Sequence, residues 1–326
     1  MVTVAPLDAG SHVEWAGFLD DLPVFLTAEG EAVVIEGGER RDSLHDGLLA
    51  AALARDGSFI ATAGEDGSIR RFSPSKGLCD AGNTAGKWVN ALACGPDGMV
   101  AAAHGKSVTL FSRSSDEPRT FETDRSVEAV AFAPKGARLA LARYNGVELI
   151  WFNSPAKPQF LEWKGAHIGV TFSPDGRYVV TAMQENALHG WRLADSRHMR
   201  MSGYPAKVKS LSWSPKGKWL ASTGAPAAIT WPFSGKDGPM GKPPKELGSM
   251  GQVLTTQVVF HPGEDVVAIG YANGMVAAVK VEDSADAVLR QPGESAVSAL
   301  GWSRDGKRLA FGCENGEAGI IDISNS

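Results

Sequence analysis

Cysteine is scarce in this 326-residue chain: Cys79, Cys94 and Cys313 stand far apart, with no CxxC spacing. That excludes a disulfide framework and fits a reducing compartment. An excess of positive charge is also missing. The formal net charge is -5, which excludes a surface devoted to gripping nucleic acid. No window approaches the ~18 apolar residues of a membrane span. The N-terminal stretch MVTVAPLDAGSHVEW has neither the basic start nor the apolar run of a secretory leader. A cytoplasmic protein is therefore expected. Catalytic signatures are absent too: there is no GxxxxGK[ST] loop, GxSxG elbow, HExxH or GxGxxG, so no enzyme class and no cofactor is implied.

Glycine and proline are plentiful, at 38 and 18 residues, and they recur in register. The stretch FSPDGRYVVTA (172–182) has relatives along nearly the whole chain, and equivalent turn positions are Gly57, Gly98, Gly136, Gly176, Gly217, Glu264 and Gly306. Successive spacings are 41, 38, 40, 41, 47 and 42 residues. A period near forty, with short apolar runs between turns and no helical run, predicts a β-propeller with one four-stranded antiparallel blade per repeat. The units fall at about 11–40, 41–80, 81–118, 119–158, 159–200, 201–245, 246–288 and 289–326, within a single domain spanning 1–326.

Asp175 lies between Pro174 and Gly176, and Lys135 and Lys216 replace it in sister repeats. A residue that tolerates Lys is a turn former and not a catalytic carboxylate. The carriers V-x-x-L-x-W-S-P-x-G, the short second strand and the aromatic-ended third strand (Phe72, Phe111, Trp151, Trp191, Trp231) resemble the WD-repeat family of β-propellers over about residues 11–324. The Trp-Asp and Gly-His pairs of that family are eroded, since Trp151 precedes Phe152, Trp191 precedes Arg192 and Trp231 precedes Pro232. An alanine-rich composition poor in Asn and Tyr leans toward a bacterial origin. The resemblance implies a buried His–Ser/Thr–Asp–Trp hydrogen-bond set, for which the fifth unit retains Thr181, Asn186 and Trp191, with His167 as an imperfect partner.

Closure requires the last sheet to be completed, because an open sheet leaves an unpaired edge. Val2-Thr3-Val4 is expected to add the outer strand to the final unit. Eight blades are expected, or seven if the degenerate first unit (13–35) forms none.

Function is read as a monomeric, non-catalytic scaffold for a protein or peptide partner. The resemblance places the partner on the face with the loops leading into first strands and those joining second to third strands. Those loops hold Glu14, Trp88, His104, Arg125, Arg143, His167, Met183, Lys207 and Tyr271. His167 stands where sister repeats carry Leu48, Val89, Val127, Val208 and Val297. The alternative is a metal-handling or enzymatic propeller with its site at the channel mouth. Its candidate ligands are His12, His104, His167 and Cys313, with His45 in a similar loop, because imidazole and thiolate suit zinc. Close ligand spacing is absent, so no metal is expected. The longest repeat holds a lysine-bearing insertion, Ser234–Lys245, read as a solvated loop or one for an acidic partner.

Overall fold

A computed structural model describes residues 3–115 and 117–324. Among them the regular structure is β-strand, apart from one short 3-10 turn at Pro96–Gly98. The strands are β1 (Thr3–Asp8), β2 (Val13–Leu19), β3 (Leu22–Thr27), β4 (Glu31–Ile35), β5 (Glu39–Ser43), β6 (Leu48–Leu53), β7 (Ile60–Gly64), β8 (Ser68–Ser73), β9 (Gly77–Asn83), β10 (Ala91–Cys94), β11 (Val100–His104), β12 (Ser107–Phe111) and β13 (Arg119–Glu122). They continue with β14 (Val127–Phe132), β15 (Arg138–Trp151), β16 (Gln159–Phe172), β17 (Tyr178–Met183), β18 (Ala187–Arg192), β19 (Arg197–Met201), β20 (Leu211–Trp213), β21 (Trp219–Ser222), β22 (Ala228–Pro232) and β23 (Lys245–Leu247). The last are β24 (Thr255–Phe260), β25 (Val266–Tyr271), β26 (Val276–Lys280), β27 (Asp286–Arg290), β28 (Val297–Trp302), β29 (Arg308–Cys313) and β30 (Glu317–Asp322).

These strands make seven sheets, six of four strands and one of six. Seven matches the alternative count and corrects the expectation of eight, but for a different reason from the one the sequence suggested. The degenerate first unit does form a sheet, β2-β3-β4-β5. The count falls because two sequence repeats share the sheet β14-β15-β16-β17-β18-β19. Strand β16 pairs through Gln159–Glu162 with β15 and through His167–Phe172 with β17. Strand β15 doubles back on itself, the Phe152 N–H donating to the Ala137 carbonyl at 2.9 Å; the reversal passes through Gly146 (φ 146°), and Gly165 (φ 133°) lies between the two ladders of β16. Only glycine takes these angles without strain.

The chain divides into two compact units. The first comprises Met1–Thr27, Val33–Arg40 and Ser202–Ser326. Its N-terminal strand completes the last sheet, as expected for Thr3 and Val4, Val2 lying outside the described residues: β1 runs antiparallel to β30, from Thr3 opposite Asp322 to Asp8 opposite Glu317. Neighbouring sheets pack through apolar clusters. Leu247, Phe260 and Val279 lie together, Leu289, Val297 and Phe311 form a second cluster, and Val13, Phe25 and Ala310 a third.

The second unit comprises Ala28–Ala32 and Arg41–Met201. Its sheets join through Phe59, Val100 and Phe111, then Val108, Phe132 and Leu141, while Leu149, Phe172 and Trp191 pack together across the two halves of the six-stranded sheet. Alanines fill many inner strand positions, as in Ala101, Ala102 and Ala103, all fully buried. Small residues there let adjacent sheets approach, and the aromatics of the flanking strands fill the remaining space.

The recurrent turn is structural, as its substitution pattern indicated. Asp175 accepts hydrogen bonds from the Arg177 backbone N–H (3.0 Å) and the Ser173 hydroxyl (2.7 Å). Burial alone would raise its pKa, but those donors and the Arg177 guanidinium hold it below the usual carboxylate range. Asp305 repeats the arrangement with Ser303 (2.7 Å) and the Lys307 N–H (3.1 Å).

Candidate functional site: polar relays under the connecting loops

The loops leading into first strands are held by buried polar relays. In the second repeat, His45 lies 2.9 Å from the Thr62 hydroxyl through Nε2 and 3.2 Å from Ser68 Oγ through Nδ1. Ser68 gives its proton to Asp66 at 2.6 Å. Nδ1 must then be the protonated nitrogen of His45, and Nε2 accepts from Thr62. Burial, aided by Arg70, lowers the His45 pKa against the opposing pull of Asp66. His45, Thr62 and Asp66 stand in the sequence at loop, second-strand and turn positions, a signal obscured by Phe72 where the WD-repeat pattern has tryptophan.

His167 forms a second relay and is fully buried. Its Nε2 is 2.9 Å from the Trp163 carbonyl, and its Nδ1 is 2.7 Å from Thr181 Oγ1. A carbonyl only accepts, so the proton sits on Nε2 and the Thr181 hydroxyl faces Nδ1. Burial lowers its pKa, against the Trp163 carbonyl and Glu185. Trp191 packs beside it, ring centroids 5.6 Å apart.

The sixth repeat has no histidine at this place and uses Tyr204, which sequence reasoning missed. Trp231 Nε1 donates to the Tyr204 hydroxyl at 2.7 Å, which lies 2.7 Å from Ser222 Oγ. Ser222 donates onward to the Ile229 carbonyl at 2.9 Å. Burial pushes the Tyr204 phenol up to about 12.

The remaining candidates divide by burial. Met183, Tyr271 and Cys313 are buried. The Tyr271 hydroxyl donates to the Gly248 carbonyl, and burial pushes the Cys313 thiol up to about 11. His104 is buried with Nε2 2.9 Å from Thr109 Oγ1. Burial and then the Lys87 charge lower its pKa. Arg143 is clamped by Asp124 and, at 3.1 Å, by Glu148, with its guanidinium over the Phe160 ring. These side chains hold loops from beneath and offer no free surface.

Open to solvent in the second unit are Arg125 and Trp88, the latter 60% exposed. Their loops are tied together, because Asn90 Nδ2 donates to the Val127 carbonyl at 3.1 Å. In the first unit Glu14 is exposed, with His12 Nε2 3.5 Å from its carboxylate, and Lys207 is half-buried. The metal candidates do not assemble: among the described residues no three His, Cys, Asp or Glu side chains are grouped to hold an ion. No helix among them is long and apolar enough to cross a membrane.

The insertion Ser234–Lys245 is folded on itself and is not a free loop. Lys242 Nζ donates to the Ser234 carbonyl at 2.6 Å, and Gly238 and Pro239 are buried.

Comparison with known proteins agrees with this architecture. Residues 41–73 and 196–225 match the family described as WD domain, G-beta repeat, and residues 260–326 match the anaphase-promoting complex subunit 4 WD40 domain. The crystal structure of the RRP9 WD40 repeats superimposes with a TM-score of 0.63 at 17% identity, covering 84% of this chain and 94% of that one. The chain thus has the fold of a WD-repeat β-propeller.

Proposed function

We propose that the protein is a non-catalytic interaction scaffold that binds a protein or peptide partner through the loops leading into the first strands of the second unit. The observation that carries this reading is Trp88. A tryptophan 60% exposed is costly to leave in water, and Trp with Arg is the pairing enriched in binding hot spots. Arg125 lies on the adjoining loop, and Asn90 fixes the two loops relative to each other. Beneath them, His104 is held by Thr109 and Arg143 by Asp124 and Glu148, which gives a pre-ordered surface with little entropy left to lose on binding. His104, His167 and Met183 belong to the face as supports. The site works without cofactor or metal, and a monomer in the cytoplasm suffices for it.

The test is affinity purification of tagged wild-type protein and the Trp88→Ala variant, followed by mass spectrometry. A partner set retained by wild type and reduced at least about tenfold by Trp88→Ala, the loss of roughly 1.4 kcal/mol, is the expected result. An unchanged set would remove Trp88 from the interface. Arg125→Ala then reports on the second anchor.

A further inference from the structure

The first unit contains a cleft of about 610 Å³ between the sheet β20–β23 and the sheet β24–β27, unrelated to the loops around Trp88. Its two walls differ in charge. From the β20–β23 side come Lys218, Trp219 and Lys245; from the β24–β27 side come Glu264, Asp265 and Glu282. Ser234, at the start of the folded insertion, closes one margin, and Lys280 adds a single cation to the acidic wall.

Lys245 is committed to the scaffold. Its ammonium donates to the carbonyls of Val281 (2.6 Å) and Glu282 (3.1 Å) and lies 5.3 Å from the centre of the Trp219 ring. It therefore fixes the distance between the walls and the attitude of the indole. The other charges are uncommitted: Lys218, Lys280 and the three carboxylates have no ion-pair partner within 4.0 Å among the described residues. Opposite charges thus face each other across water without closing, where their mutual attraction is only about 1 kcal/mol at short range.

A ligand that reaches both walls gains charge-assisted hydrogen bonds on each, which are about twice as strong as neutral ones. A uniformly acidic ligand meets Lys218 favourably but is repelled by three carboxylates, and a uniformly basic ligand meets the reverse. Like-charge contact of that kind is how interfaces reject wrong partners. We propose that this cleft binds an extended peptide segment with neighbouring residues of opposite charge, its basic side chain toward Glu264, Asp265 and Glu282 and its carboxylate toward Lys218. The volume lies within the range of ligand sites generally, and the exposed edge of Trp219 supplies an apolar floor.

The experiment is fluorescence anisotropy with the full chain and three labelled, end-blocked hexapeptides: alternating Glu-Lys, all-Glu and all-Lys. Saturable, salt-sensitive binding of the alternating peptide is expected, about tenfold tighter than either uniform peptide. Lys218→Glu and Glu264→Lys should each weaken it about tenfold, and the double exchange should recover much of the loss, because it restores one charge of each sign. Circular dichroism melts on the same variants confirm that they are folded. Equal binding of all three peptides, no saturation by about 1 mM, or indifference to Lys218→Glu in a folded variant overturns the proposal.

Discussion

Trp231 and Tyr204 stand at the head of a one-way proton-donor chain. The indole N–H donates to the phenol at 2.7 Å, the phenol to Ser222, and Ser222 to the Ile229 carbonyl. Each hydroxyl donates once and accepts once, so the chain is satisfied without water. Tyr204→Phe keeps the ring and removes the link, leaving the indole N–H without its partner. A loss of about 1–3 kcal/mol is expected, read as a lower midpoint in urea with an unchanged m-value. An unchanged midpoint would mean the relay contributes nothing to stability.

His189 makes the opposite case. It is fully buried, neither ring nitrogen has a hydrogen-bond partner among the described residues, and it lies stacked 4.0 Å from Trp163 and 5.3 Å from His198. Burial, then the charges of His198, His167 and Arg200, push its pKa down to about 3. An unfolded histidine titrates near 6.5, so below about that pH the unfolded state takes up the proton and the folded state does not. Stability therefore falls as pH drops from about 6.5 toward 3, with this residue contributing at most ~1.4 kcal/mol per pH unit. His189→Phe keeps the stack and should flatten that slope in urea melts across this range. A slope identical to wild type would show that His189 is not the group responsible.

The antiparallel pairing of β1 with β30 leads to a prediction by truncation. Removing residues 1–8 strips the outer strand from the last sheet and bares the β30 edge. A fall of several degrees in Tm is expected, since about 1 kcal/mol moves Tm by roughly 2–4 °C at this size or somewhat less. An unaltered Tm would show that the strand adds no stability.

Two glycines separate conformational strain from steric conflict. A Cβ on Gly57 (φ 71°) would meet nothing within 4 Å, whereas one on Gly146 (φ 146°) would lie 2.2 Å from the Leu161 carbonyl oxygen. Gly57→Ala should cost about 1 kcal/mol for the backbone angle alone. Gly146→Ala should cost clearly more, because a backbone atom cannot step aside. Equal costs in thermal melts would contradict the distinction.

The period of the PDG turns and the alternation between them made the strands legible, because both are local properties of the chain. The turn role of Asp175 followed from its replacement by Lys135 and Lys216 in sister repeats. What escaped was relational. Nothing near Tyr204 announces that its hydroxyl reaches Trp231, 27 positions on. His167 is a polar ring at an otherwise apolar register, yet it is buried against Thr181, and sequence position alone does not say which way a ring points. The sheet count was missed because nothing in the sequence marks Gln159–Phe172 as one strand that carries two ladders.

Strand β16 has a consequence for how the chain opens. Elsewhere among the described strands of the unit, no strand carries the ladders of two repeats, so each sheet can loosen on its own. Across Gln159–Phe172 one backbone carries ladders for two repeats, and fraying either half disturbs the template of the other. Amide protons from Val127 to Met201 should therefore exchange with deuterium as one cooperative block, while those of β6–β9 exchange as another.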